Sequence, residues 1–191
     1  MKKLHLNTDQ PQSLEPYEPL ASDTPPKIRV SITRYPRHKL VLSYRLEHAA
    51  GSVIWPDHLS MTHPRADNLW ERTCMEAFIR QQEHAAYIEL NFSPRGLWNA
   101  YRFDHYRQPN QMPPIHENGV ILTALNISHH ALEATVDLSA LFPSDEILQI
   151  GMCAVLEHPH QTLSYWALQH SQDQADFHQA DDWIWPITLL S

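Results

Sequence analysis

The sequence predicts an all-β protein, an antiparallel β-sandwich, and three observations carry that expectation. From residue 27 onward the chain is a succession of runs, mostly six to nine residues long, rich in Val, Ile, Leu, Tyr, Phe and Trp. Turn residues punctuate them, notably Ser93-Pro94-Arg95-Gly96 and the stretch from Pro109 to Pro114. No long segment carries a convincing three-to-four apolar spacing. Nine or ten short strands in one domain fit two packed antiparallel layers.

Residues 1–26 hold five prolines and scattered acids and have little apolar surface to bury. They are expected to form a loose or wrapped arm before a sandwich domain spanning 27–191. KIRVSITRY sets Ile28, Val30 and Ile32 on one side, with Arg29, Ser31 and Thr33 on the other. After a break at Tyr35-Pro36-Arg37-His38, KLVLSYRLEH resumes the alternation, so a hairpin is expected. Further strands are expected at 73–79, 86–92, 97–103, 120–128, 131–139, 148–158, 163–170 and 182–190. The run from Asp67 to Ala86 tolerates a helix by composition, but its Trp, Thr, Cys, Phe and Ile content favours a strand. A short helical turn is expected near Leu138–Phe142, capped by Ser139.

The chain has 191 residues, 42% of them hydrophobic and 19% charged, enough for a self-sufficient core. Its net charge of −8 repels phosphate backbones, so nucleic acid is not an expected partner. Cys74 and Cys153 both sit in apolar, strand-like text and are read as buried free thiols. MKKLHLNTDQ has no apolar stretch behind its lysines, and no run approaches the roughly 20 apolar residues of a membrane helix. A cytoplasmic protein with no membrane partner is expected.

The informative feature is a set of acids inside strand-like text: Glu76 in CMEAFI and Glu89 in YIELNF. Alternation accounts for them. Thr73, Met75, Ala77 and Ile79 share one face, and Cys74, Glu76 and Phe78 the other. Ile88, Leu90 and Phe92 oppose Tyr87, Glu89 and Asn91. The next strand sets Trp98 and Arg102 against Asn99, Tyr101 and Phe103. SYWALQH sets Tyr165 and Gln169 against Trp166 and His170. A sheet face mixing indoles, carboxylates, amide and guanidinium suits a sugar, whose flat C–H faces stack on rings and whose hydroxyls take charged hydrogen bonds. The competing account is a purely structural network, such as Glu89 paired with Arg102.

LWERTCMEAFI, YIELNFSPRGLWNAYRFDHYR and SYWALQHSQDQADFH together resemble a bacterial family of DOMON-like domains, itself similar to family 9 carbohydrate-binding modules. The resemblance runs from about Arg65 to His178. It implies a β-sandwich with a ligand-binding face, and sugar or haem as the ligand class. It sets Trp70 and Glu76 where the related modules carry a tryptophan and a following acid. Asn91 and Trp98 flank the shared turn, and Arg102 follows on the next strand. Trp166, His170 and His178 complete the set more loosely. Cys74 stands where those modules often carry an acid, which weakens any neighbouring metal site.

The resulting expectation is non-catalytic binding of a saccharide or related polyol, with no cofactor and no metal. Trp70 and Trp98 would stack on the ring, while Glu76, Glu89, Asn91 and Arg102 supply hydrogen bonds. Trp166, His170 and His178 would stand at the border. Two alternatives stay open. A glycoside-processing enzyme would use Glu76 and Glu89 if their carboxyls lie about 5–9.5 Å apart, although a water-exposed strand face would not raise an acid's pKa. A haem domain would draw on Met61, Met75, Met112 or Met152 with a histidine. His158-Pro159-His160 and His129-His130 lack a third ligand at fixed spacing. Asp176, near His170 and His178, is read as a turn cap.

Overall fold

A computed structural model describes residues 10–21, 23–56, 60–142 and 146–190; the first nine residues of the expected arm lie outside the described set. Among the described residues there are eleven strands: β1 Gln12–Pro16, β2 Lys27–Tyr35, β3 Lys39–Glu47, β4 Cys74–Gln81, β5 Tyr87–Ser93, β6 Leu97–Phe103, β7 Ile121–Ser128, β8 Ala131–Asp137, β9 Ile147–Glu157, β10 Leu163–Ala167 and β11 Trp185–Thr188. All pairings between them are antiparallel. One layer runs β6-β5-β4-β9-β10 and the other β2-β3-β8-β7.

β1 joins the layers. Gln12–Leu14 pairs with β2 on one side, while Glu15 and Pro16 pair with Ala167 and Trp166 of β10 on the other. The sheet therefore turns a corner inside the segment expected to be an arm. Pro16 ends the strand, and the next amide, of Tyr17, bonds the Tyr165 carbonyl.

The inner faces follow the alternation. Ile28, Val30, Ile32, Leu40, Leu42, Tyr44 and Leu46 come from one layer, and Met75, Ala77, Ile79, Leu90, Phe92, Ile150 and Met152 from the other. Beneath β4 the buried Tyr44 hydroxyl donates to the Glu76 carbonyl at 2.7 Å and ties the two layers. The turn after β8 is present, with Leu141 and Phe142 amides returning to the Leu138 carbonyl. Its side-chain acceptor is Asp137, not Ser139: Asp137 Oδ1 takes the Ser139 amide at 2.9 Å.

The β6-β5-β4-β9-β10 layer is buried on its outer face as well. That face carries a second apolar cluster of Phe78, Tyr87, Tyr101, Phe103 and Trp183, with Trp70 and Phe177 packed against it. Gly151 on β9 makes this possible, because a Cβ there would lie 2.2 Å from Trp183 Cδ1. Glycine lets the indole approach the strand closely, and the indole stacks on Phe78 at 5.6 Å and 19°. Cys74 and Cys153 are buried on this layer as free thiols.

Candidate functional site

Strand alternation puts Glu76 and Phe78 of β4, Tyr87, Glu89 and Asn91 of β5, and Phe103 of β6 on the outer face. In register, Glu76 faces Asn91 and Phe78 faces Glu89, so the two acids are diagonal neighbours on adjacent strands. Residues 104–116 and 168–184 cover this face. Asp176 clamps the two coverings together. It accepts from Tyr106 Oη at 2.6 Å, Arg107 Nη2 at 2.8 Å, Gln179 Nε2 at 2.9 Å and the His178 amide at 3.1 Å. Burial opposes the Asp176 charge, but these donors win and hold its pKa near 2. The segment 169–182 is closed by Asp182, which takes bonds from Gln169 and from the Ser171 amide and hydroxyl. Trp183 Nε1 donates to the Phe177 carbonyl at 2.8 Å.

Between the coverings and the sheet lies an open-mouthed pocket of about 420 Å³. Trp70, Phe78, Phe103, Tyr165 and Phe177 give it aromatic walls, and Glu76, Glu89 and His178 are its deepest polar side chains. Glu76 is 3% exposed and Glu89 5%. Asn91, fully buried, donates from Nδ2 to Glu89 Oε1 at 2.7 Å and accepts weakly from Cys74 Sγ at 3.7 Å. Glu76 Oε1 is buried with no hydrogen-bond partner.

A proton chain lies beside the acids. The Arg107 amide donates to Tyr87 Oη at 3.0 Å, and Tyr87 Oη lies 2.7 Å from His178 Nδ1. With the phenol donating to Nδ1, the neutral ring carries its hydrogen on Nε2, facing Glu89 Oε2 at 3.7 Å. Burial, and secondly the Arg107 charge, depress His178 to about 3, so the imidazole is neutral at neutral pH. Burial pushes both carboxyls the other way. Glu89 rises to about 7, restrained by the Asn91 bond and by Arg107. Glu76 rises well above the ordinary carboxylate range, from burial first and the neighbouring Glu89 second. The expectation of a water-exposed strand face is thus corrected: the two coverings desolvate the acids.

The structure brings together four of the expected residues in the pocket: Trp70, Glu76, Glu89 and His178. Asn91 supports them from below. The other four stand elsewhere. Trp98 is 7% exposed and packs in the sandwich core, with the Arg65 guanidinium 4.3 Å over its ring. Arg102 shares the strand face of Trp98 and is exposed at the sheet edge. Trp166 is in the same core, its Nε1 bonded to Ser164 Oγ. His170 bonds the Glu15 carbonyl beside β1. The reason is phase. Trp98, Arg102 and Trp166 alternate with Asn99, Tyr101 and Tyr165, and it is these neighbours that share the face of Glu76. Asn99 and Tyr101 are themselves tied to Asp67, which also takes His116 Nε2 at 2.8 Å.

Phe78, Phe103 and Tyr165 follow from the same alternation once the phase is set by Glu76. Arg107 and Phe177 sit in irregular segments, where periodicity carries no signal. Met75 and Met152 are in the sandwich core, whereas Met112 lines the pocket mouth. Among the described residues no group of three His, Cys, Asp or Glu side chains is placed to hold a metal ion. Among them, too, no helix is long and apolar enough to cross a membrane.

Fold and site together define a β-sandwich with a roofed, acid-floored aromatic pocket on the outside of one layer. Among solved structures, the chain is similar to a protein from Bacteroides uniformis described as "a putative carbohydrate-binding protein". The TM-score is 0.57 at 13% identity, covering 88% of this chain and 83% of that one. No family model matches the chain, and no curated protein sequence matches it.

Proposed function

We propose that this chain is a binding domain for a small saccharide or related polyol, held in the outer-face pocket. Trp70 and its aromatic neighbours cover the C–H faces of the ring, and Glu76 and Glu89 bond its hydroxyls. The observation that carries this reading is Glu76 Oε1, a buried acceptor without a partner at a pocket whose walls are aromatic. An orphaned buried oxygen costs about 1–3 kcal/mol, which a bound hydroxyl recovers. The pocket volume falls in the range of small-molecule sites. The Bacteroides protein's description agrees with the same ligand class.

The test is a titration of tryptophan emission and heat with a panel of mono- and disaccharides. A saturable change that is lost in Trp70→Ala, with the fold retained, supports the reading. Binding that survives Trp70→Ala unchanged, or no saturable response across the panel, contradicts it. A second reading, acid–base chemistry on a glycoside, draws on Glu89 being raised to about 7 beside His178. Turnover of aryl glycosides that is abolished in Glu89→Gln would support that reading over pure binding.

A further inference from the structure

Among the described residues, no Lys or Arg forms an ion pair with Glu76 or Glu89. The pocket lining includes Glu71, Glu76 and Glu89 but a single basic side chain that is charged at neutral pH, Arg107. Arg107 is already engaged, its Nη2 paired with Asp176 Oδ1 at 2.8 Å. The other groups facing the acids do not neutralise them. His178 is neutral and aims Nε2 at Glu89 from 3.7 Å. Cys74 and Cys153 are thiols held protonated by burial, and Tyr44 and Tyr87 are phenols raised in the same way. Around the acids stand Trp70, Phe78, Phe103, Tyr165 and Phe177. Aromatic faces attract cations, and buried carboxylates ionise when a positive charge arrives beside them.

We infer that the pocket selects ligands carrying a protonated amine, with the ammonium seated between Glu76 Oε1 and the Glu89 carboxyl against the aromatic walls. Resting on the saccharide reading, this narrows the ligand class to amino sugars with a free amine. Burial favours the protonated form of both acids. The ammonium replaces that proton, so binding releases a proton at mildly acid pH.

The experiment is calorimetric titration of the intact chain with glucosamine, its N-acetyl derivative, glucose and cyclohexylamine. Glucosamine should bind about tenfold or more tightly than glucose or the N-acetyl sugar. That preference should grow as pH rises from about 5 to about 7, because below its pKa of about 7 Glu89 must give up a proton to pair with the ammonium. Glu76→Gln should cut the preference by about fivefold or more without unfolding the chain, since it removes one of the two carboxyls that seat the ammonium. Glu89→Gln provides the same readout independently. Equal affinity for glucosamine and glucose overturns the inference and leaves the saccharide reading standing. Cyclohexylamine binding without any sugar binding overturns the saccharide reading and keeps the cation site. No binding by either amine overturns the inference outright.

Discussion

Replacing Glu89 by Gln should stabilise the domain at neutral and alkaline pH and leave it nearly unchanged in mild acid. Gln keeps the shape and an oxygen for the Asn91 Nδ2 hydrogen, which Glu89 Oε1 takes at 2.7 Å. What it removes is a titration. The Glu89 carboxyl stands at about 7 in the fold against an ordinary 4.5. The native state thus holds a proton that the unfolded chain has lost. Stability contributed at low pH is therefore given up as pH climbs from about 4.5 to about 7, and no more is lost above. At about 1.4 kcal/mol per pH unit, that interval costs about 3 kcal/mol. For a chain of this size it corresponds to a gain of about 6–12 °C in melting temperature for the variant at pH ~8. Thermal unfolding by circular dichroism at pH ~4.5 and pH ~8 measures it. Some dependence persists in the variant because Glu76 is raised too. A melting difference that is the same at both pH values, or a variant less stable than wild type at pH ~8, refutes the argument that burial strains Glu89.

Three further outcomes follow from the packing. Trp98→Ala should cost about 3–5 kcal/mol in denaturant unfolding, since Trp98 is a core residue, whereas Trp70→Ala should cost markedly less and act on binding. Gly151→Ala sets a Cβ against the Trp183 indole and should destabilise by about 1–3 kcal/mol, with a red-shifted tryptophan emission as Trp183 leaves Phe78. Asp176→Asn removes an anion that receives three side-chain donors and the His178 amide. It should speed amide hydrogen exchange in residues 104–108 and 174–179 while the strands keep their protection.

Most of the sandwich was legible because period-two alternation states which residues face inward, as in Ile28-Val30-Ile32 and Met75-Ala77-Ile79. β1 was not legible. QSLEP offers one inward residue, Leu14, among polar and proline neighbours, and its strand character comes entirely from the two sheets it bridges. The acids and the face they share could be read from CMEAF and YIELN. Which aromatics share that face was not legible, because alternation within a strand does not set its phase against the next: Trp98 and Trp166 sit one residue out of phase with Glu76 and enter the core. The roof had no sequence signal, because Asp176 and Arg107 meet across a separation of 69 residues through loops that nothing periodic describes. The raised acids depend on that roof, so their chemistry could not be inferred before the loops were placed.

In the proposed binding mode, ligand enters the outer-face pocket and meets Glu76, Glu89 and Trp70. The most direct measurement is a two-dimensional NMR titration with glucosamine, following the indole N–H signals and the backbone amides. Saturable shifts are expected in the Trp70 indole and in amides of Glu76, Glu89 and His178, with the Trp98 and Trp166 indoles unmoved. Shifts centred on Trp98 and Trp166, or confined to the opposite layer, would contradict it.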